Sequence, residues 1–156
     1  MVEIIDGKLQ MSLTYPNNNN AANVSIIMKE DMTGSRIVEF DYYRPEDKNQ
    51  LLDLYLCHNY VRLWLNYNGN DYLYTSAGLY PSQKTPVSIL KPQKWYHLKA
   101  TLIVGKVTLE FYDKETMELL HTLTVEDEAI TEEKLNEPHP LRFIFGNQKI
   151  NGDFKV

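Results

Sequence analysis

The fold of this chain is decided by residues 51–66, which read LLDLYLCHNYVRLWLN. Leucine or valine occupies every second position of two short runs, and polar or aromatic side chains fill the positions between them. A period of two is typical of β-strands that bury one face. His58 and Asn59 separate the runs, and Asn tolerates a positive φ. We therefore predict a β-hairpin with a two-residue turn.

The predicted register of this hairpin places apolar side chains opposite apolar ones. The expected pairs are Leu56 with Val61, Leu54 with Leu63, Leu52 with Leu65, Tyr55 with Arg62 and Asp53 with Trp64. A slip of one residue would reverse both faces, so the agreement of the pairs supports this register. A second hairpin is predicted from Trp95 to Asp113, with Gly105-Lys106 as its turn and Val104 opposite Val107.

Short alternating segments with turn residues between them continue along the chain. Further strands are predicted at 8–13, 23–29, 35–43, 71–75, 87–90, 119–125, 141–145 and 154–156. The acidic stretch 126–137 predicts at most one short helix, near 129–135. Many short strands with frequent turn signals indicate an all-β sandwich or barrel. We expect residues 1–156 to be a single domain of this kind, excised from a larger protein.

The composition excludes several classes of protein. The chain has 16 Lys plus Arg against 21 Asp plus Glu, a formal net charge of −5. We therefore expect no nucleic-acid partner, because that function needs a basic face. No apolar stretch approaches about eighteen residues, so no membrane insertion is predicted. Cys57 is the one cysteine, which leaves no internal disulfide, and the 12% of aromatic residues is typical of strands and recognition surfaces.

Three stretches resemble a known fold. They are DGKL at 6–9, WYHLKAT at 95–101 followed by GKVTL at 105–109, and FGN at 145–147 followed by GDFKV at 152–156. They resemble strands of the concanavalin A-like jelly roll, which legume lectins, laminin G-like domains and many bacterial carbohydrate-binding modules share. The resemblance implies an all-β, antiparallel two-sheet jelly-roll β-sandwich over nearly the whole chain. That fold hosts lectins, enzymes and inert spacers alike, so function must be argued from side chains.

We predict a ligand site on the concave solvent face of this sandwich. The predicted binding residues, assigned to neighbouring strands, are Glu39, Asp41, Tyr43, Asp53, Tyr55, Arg62, Trp64, Asn66, Tyr72 and Tyr74. Aromatic rings suit the apolar C–H faces of a pyranose, and carboxylates, Arg and Asn suit its hydroxyls. Trp64 is the expected anchor, because a large exposed Trp is costly without a partner.

Several alternatives to this site stay open. A three-residue loop at 68–70 would put Leu73 in the core and Tyr72 and Tyr74 beside Trp64, whereas a two-residue Asn-Gly turn would put both tyrosines inside. Trp64 could instead lie under a loop that contains Tyr80 or residues 81–86. The aspartate and arginine of the predicted hairpin could form an ordinary cross-strand salt bridge.

Catalysis is not expected. Laminarinase-like relatives of the jelly roll carry an E-x-D-x-x-E strand, and the matching stretch 39–44 has Arg44 in place of the last Glu. Glu39 and Asp53, placed on adjacent strands, could still form a carboxylate pair. A lyase could use Tyr or His as its base, but the lyase signatures R-x-E-x-R and Q-x-H are absent.

No cofactor is predicted apart from a structural calcium ion. Relatives often hold one near their joined termini, with Asp, Asn and backbone oxygens as hard ligands. The candidate ligands in this chain are Asp6, Asn151 and Asp153.

We predict a non-catalytic carbohydrate-binding module whose partner is a polysaccharide or oligosaccharide. The carboxylates favour a neutral, hydroxyl-rich glycan, although Arg62 could accept a carboxylate. The alternative is a structural or protein-interaction laminin G-like domain of a surface protein, and the last alternative is a polysaccharide hydrolase or lyase. We expect an extracellular or cell-surface location and other domains of a parent protein as further partners, although the N-terminus shows no signal-peptide pattern.

Overall fold

The computed structural model describes residues 2–5, 8–13, 22–46, 50–58, 60–75, 83–84, 89–147 and 154–155. Its strands are β1 (Val2–Ile5), β2 (Lys8–Leu13), β3 (Ala22–Met32), β4 (Arg36–Arg44), β5 (Gln50–Cys57), β6 (Val61–Tyr67), β7 (Asn70–Thr75), β8 (Gln83–Lys84), β9 (Lys94–Ile103), β10 (Lys106–Asp113), β11 (Leu119–Glu126), β12 (His139–Asn147) and β13 (Phe154–Lys155). The helix α1 spans Glu132–Asn136, between β11 and β12.

The strands form two main antiparallel sheets. The larger has six strands in the order β3-β12-β5-β6-β7-β8, and the smaller has four in the order β11-β10-β9-β4. Strands β1, β2 and β13 form a third, three-stranded sheet. The predicted all-β, antiparallel two-sheet sandwich is therefore confirmed, as is the short helix, which begins later than predicted, after Thr131 caps it.

The core lies between the inner faces of the six-stranded and four-stranded sheets. Leu54, Leu63 and Leu73 contribute to it from the larger sheet, and Leu98 and Phe111 from the smaller one, all fully buried. These residues come from the alternating apolar positions of the sequence, because successive side chains on a strand point to opposite faces. The polar and aromatic positions between them are thereby left on the two outer faces.

The first predicted hairpin is confirmed except at its turn. The pairs of Leu52, Asp53, Leu54 and Tyr55 have the predicted partners. The pair of Leu56 with Val61 is wrong, since Cys57 lies opposite Val61 and the register shifts after Tyr55. This bulge buries both Leu56 and Cys57. An extra buried apolar residue explains the bulge, which simple alternation does not predict.

The second predicted hairpin has the right strands and the wrong register. Val107 lies opposite Leu102 rather than Val104, and the turn is formed by Val104 and Gly105. Gly105 has a φ of 74°, a value that glycine adopts without a steric cost. A shift of two residues keeps every side chain on its predicted face, because the side-chain period is also two.

The strand predicted at 87–90 is not seen where the structure describes it. Ile89 and Leu90 form a bend, and residues 85–88 lie outside the described part of the chain. Among the residues described, no helix has the length and apolar character that crossing a bilayer requires.

A buried ion pair connects the two main sheets. Arg44, at the end of β4, donates through Nη1 to Asp71 of β7 and through Nη2 to the Gly69 carbonyl oxygen, 2.8 Å away. Both charged side chains are almost fully buried. Asp71 also accepts a hydrogen bond from the Asn66 backbone N–H at 2.9 Å. Arg44 therefore has a structural role in holding the two sheets together.

Candidate functional site

The predicted site residues are divided between two outer faces. Glu39, Asp41 and Tyr43 are on β4, which belongs to the four-stranded sheet, while the others are on β5, β6 and β7 of the six-stranded sheet. The prediction that all of them share one face is therefore wrong. Alternation assigns each side chain to the inside or outside of its strand, but it does not say which strands are neighbours. The carboxylate pair of Glu39 and Asp53 is excluded for the same reason.

We call the outer surface of the six-stranded sheet the aromatic face. Its residues, read across neighbouring strands, are Ile27, Arg142, Tyr55, Arg62 and Tyr74 in one row and Ser25, Ile144, Asp53, Trp64 and Tyr72 in the next. Tyr67, at the end of β6, extends the second row. Six of the ten residues predicted to bind a ligand lie in these two rows. They are Asp53, Tyr55, Arg62, Trp64, Tyr72 and Tyr74.

Tyr72 and Tyr74 lie beside Trp64, as one of the two alternatives requires. The turn itself is the two-residue Asn68-Gly69 pair, with φ values of 51° and 80°. The register shifts between Trp64 and Tyr67, so that one extra residue of β6 restores the parity. Leu73 is fully buried as a result.

Asn66 is the residue that makes this bulge possible. Its φ is 64°, in the left-handed region that Asn adopts more readily than most residues. Its side-chain amide donates to the Gln50 carbonyl oxygen at 2.9 Å, and the residue is buried. Asn66 was predicted to contact ligand, but the structure places it beneath the aromatic face as a support for the strand.

Four aromatic rings form a continuous cluster on this face. The Trp64 ring centroid lies 4.7 Å from that of Tyr67 and 4.6 Å from that of Tyr74, and Tyr67 lies 5.8 Å from Tyr72. Trp64 is half-buried, and its indole lies beside the Asp53 carboxylate opposite it, where it helps to lower the pKa of that group. Residues 76–82 and 85–88 are outside the described part of the chain, so the loop alternative for Trp64 stays a prediction.

Arg62 lies among these rings and binds Asp53. Its Nη2 and Nε donate to the two carboxylate oxygens of Asp53, at 2.5 and 3.3 Å. Its guanidinium carbon lies 4.4 Å from the Tyr55 ring centroid and 5.4 Å from that of Trp64. The cross-strand salt bridge considered from the sequence is therefore present, and ring contacts stabilise it on the outer side.

Burial changes the titration of this pair. It raises the pKa of Asp53, and the hydrogen bonds and charge of Arg62 offset only part of that rise. Burial also raises the pKa of Tyr74 to about 12. The Arg62–Asp53 ion pair of the aromatic face is therefore largely shielded from solvent.

Arg142 is a member of this face that sequence reasoning missed. It is on β12, which pairs with β5 on one side and β3 on the other, so that Arg142 lies opposite Tyr55 and Ile27. Its guanidinium carbon is 5.3 Å from the Tyr55 ring centroid. The predicted strand 141–145 does place this residue between apolar ones, which signals an outward position. The pairing of β12 with β5, far apart in sequence, carries no local signal.

The outer surface of the four-stranded sheet, which we call the charged face, is different. Asp41 accepts from Lys114 Nζ at 2.9 Å, and its other oxygen is 3.0 Å from His97 Nδ1. The Tyr43 and Trp95 rings pack at 5.4 Å. Burial tends to raise the pKa of Asp41, but the hydrogen bonds of Lys114 and His97 outweigh it and lower the pKa. The ion pair of Asp41 with Lys114 is exposed and remains in contact with water.

The calcium prediction falls outside what the structure describes. The side chains of Asp6, Asn151 and Asp153 lie outside the described residues, so the calcium site stays a prediction. Within the described part of the chain, no group of three or more His, Cys, Asp or Glu side chains is arranged to hold a metal ion.

Solved structures of lectins are similar to this chain. Arcelin-5, a lectin-like defence protein from Phaseolus vulgaris, matches with a TM-score of 0.63 at 9% identity, over 99% of this chain and 85% of its own. Peanut lectin matches with a TM-score of 0.66 at 9% identity, over 99% and 84%. Lectin II from Ulex europaeus matches with a TM-score of 0.60 at 7% identity, over 94% of both chains.

These likenesses show the fold. The chain has the concanavalin A-like jelly-roll fold that the legume lectins share, as its three sequence motifs indicated. No protein-family model matches the chain, and no characterised protein matches it by sequence. The ligand must therefore be argued from the side chains of the two outer faces.

Proposed function

We propose that this protein is a non-catalytic carbohydrate-binding domain whose aromatic face binds a polysaccharide or oligosaccharide. The observation that carries the proposal is the cluster of the half-buried Trp64, Tyr67 and Tyr72 rings, which packs on the buried Tyr74 and has the Arg62–Asp53 pair beside it. Flat rings suit the C–H faces of sugar rings, and the pair offers hydrogen-bonding atoms at the edge. The similarity in fold to solved lectins supports the proposal.

The carboxylates of the face support binding rather than hydrolysis. Glycosidases use two carboxyl groups on either side of the bond they break. Among the residues named above for the aromatic face, Asp53 is the one carboxylate, and Arg62 occupies it. Glu39 and Asp41 are on the other sheet. Hydrolysis would require a second carboxyl group, and none lies beside Asp53 within the two rows of the aromatic face.

Calorimetric titration against a panel of soluble polysaccharides and oligosaccharides tests the proposal. We expect weak, saturable binding that falls about tenfold or more in Trp64→Ala, a loss of about 1.4 kcal/mol or more. Trp95→Ala is the matched control, because Trp95 is on the charged face beside Tyr43. No binding to any member of the panel at millimolar concentration, or equal losses in the two variants, would contradict the proposal.

One observation favours the alternative of a structural or protein-interaction domain. Three apolar side chains are exposed at one end of the charged face: Ile37 (59%), Ile103 (43%) and Val104 (54%). Exposed apolar side chains in a group are typical of protein contacts. Methyl resonances of Ile37 and Ile103 that broaden with protein concentration while the glycan panel is silent would favour this alternative. Sharp resonances at all concentrations would count against it.

We also propose that the protein acts outside the cell or at its surface, since glycans are the proposed ligands. Cell fractionation tests this location, and recovery of the natural protein in the soluble cell contents would contradict it.

A further inference from the structure

The carboxylates that favoured a neutral glycan in the sequence lie on two different faces of the structure. Glu39 and Asp41 belong to the charged face, and Asp53 is bound to Arg62. Two guanidinium groups and one carboxylate remain among the residues named for the aromatic face. Within these two rows the guanidinium groups therefore outnumber the carboxylates, on a chain whose formal net charge is −5.

Arg142 accounts for the excess positive charge. No ion pair joins it to a described carboxylate, and its Nε is buried without a hydrogen-bond partner in the described part of the chain. Its one described side-chain hydrogen bond, from Nη2 to Ser25 Oγ, is long at 3.4 Å. Tyr55 lies between Arg142 and Arg62, with both guanidinium carbons within 5.3 Å of its ring centroid. Among the residues described, the guanidinium therefore packs on the Tyr55 ring, has one long hydrogen bond and has no partner for its Nε.

A guanidinium with unused donors matches a particular ligand chemistry. Its planar fork donates two parallel hydrogen bonds to a carboxylate or sulfate, and such charge-assisted bonds are shorter and stronger than neutral ones. The Tyr55 ring, 5.3 Å from the guanidinium carbon, covers one side of the group, and a charge that is partly shielded from water attracts an anion more strongly.

We propose that the aromatic face takes an acidic glycan, and that Arg142 binds the carboxylate or sulfate of one sugar unit. This proposal rests on the proposed function. Arg142 is on β12, two strands from Trp64 on β6, a spacing of about 10 Å at one strand every 4.8 Å. The acidic group therefore belongs to a different sugar unit from the ring stacked on Trp64. The ligand is an oligosaccharide or longer chain, with at least one anionic unit.

Glycans that differ only in charge test this proposal. Oligogalacturonate against its methyl ester provides the carboxylate pair, and chondroitin sulfate against unsulfated chondroitin provides the sulfate pair. We expect the acidic member of one pair to bind about tenfold or more tightly than its partner. Arg142→Gln should bring the affinities of the two members close together, and Arg142→Lys should retain part of the preference because it keeps the charge but not the fork.

A second substitution separates a specific site from general charge. Lys99→Gln removes one positive charge from the charged face, where Lys99 lies opposite Glu39 and Glu110, and should leave all affinities unchanged. The thermal unfolding midpoint of Arg142→Gln should stay near that of the wild type, because the side chain is half-exposed. If that variant fails to fold, the Arg142→Lys comparison carries the test.

The outcomes separate this proposal from the proposed function. Equal binding of both members of each pair, with Trp64 still required, would overturn the acidic preference and keep the sugar site. An equal loss in Arg142→Gln and Lys99→Gln would overturn the role of Arg142 and leave only a general charge effect. Absence of binding to every glycan would overturn both. A preference for the acidic member in the carboxylate pair alone would identify a carboxylate as the anion that the site binds. A preference in the sulfate pair alone would identify a sulfate.

Discussion

Each outer face of this sandwich carries an aspartate that is paired with a basic side chain, but the two aspartates differ in exposure. On the aromatic face, the Asp53 side chain is 8% exposed and its partner Arg62 is covered by rings. On the charged face, the Asp41 side chain is 40% exposed and that of its partner Lys114 is 42% exposed. The strands of both sheets alternate in the same way. The difference therefore comes from ring packing, which removes one ion pair from water and leaves the other hydrated.

The largest expected effect comes from the ion pair that connects the two sheets. We expect Asp71→Asn to lower the free energy of unfolding by about 3 to 5 kcal/mol, because Arg44 would stay buried without its carboxylate. Urea unfolding measures the change. Asp41→Asn is the control on the charged face, and it should cost less than about 1 kcal/mol because its pair is exposed. Similar costs for the two variants would show that burial does not distinguish these ion pairs.

A smaller effect is expected within the aromatic face. Arg62→Gln leaves Asp53 buried without its charged partner, so we expect a loss of about 1 to 3 kcal/mol at neutral pH. Adding Asp53→Asn to Arg62→Gln should recover most of the loss, because the buried charge is then gone. Lys99→Gln, on the charged face, should change stability by less than about 0.5 kcal/mol. A double variant that is no more stable than Arg62→Gln alone would contradict this account.

The smallest expected effect is a difference in pH dependence, opposite in sign for the two faces. The pKa of Asp41 is lowered in the folded protein, so the stability that Asp41 contributes is present above its unfolded pKa and is lost as the pH falls through the folded value. The pKa of Asp53 is raised, so its contribution becomes more favourable as the pH falls. Between about pH 6 and pH 3, the stability advantage of the wild type should shrink relative to Asp41→Asn and grow relative to Asp53→Asn.

Carboxyl carbon resonances provide the direct measurement of that difference. Asp53 should titrate at a higher pH than an ordinary aspartate, and Asp41 at a lower pH. Titration of both residues at the same pH would show that the ring packing around Asp53 does not exclude water as the structure indicates.

The sequence predicted the inward and outward sets well because alternation is a local property. Leu54, Leu63 and Leu73 are buried as expected, and Tyr72 and Trp64 lie on one outer face. It could not predict which strands are neighbours. The pairing of β4 with β9, and of β12 with β5, joins segments far apart in the chain, and neither pairing leaves a pattern within either strand.

Bulges were the second limit of sequence reasoning. The extra residue near Asn66 lets a two-residue turn coexist with outward tyrosines, a combination that simple counting treats as impossible. A similar shift next to Leu56 buries Cys57. In both bulges the extra residue is buried within the sheet, as Cys57 and Asn66 are. The residues of the turn therefore do not predict either bulge.

The two tryptophans provide the most direct test, because each lies on a different face. Trp95→Phe leaves Trp64 as the one fluorescent indole and reports on the aromatic face, whereas Trp64→Phe leaves Trp95 and reports on the charged face. We expect titration with the glycan panel to shift the emission of Trp95→Phe in a saturable way and to leave that of Trp64→Phe unchanged. A saturable shift seen in Trp64→Phe but not in Trp95→Phe would place the ligand on the charged face and contradict the central claim.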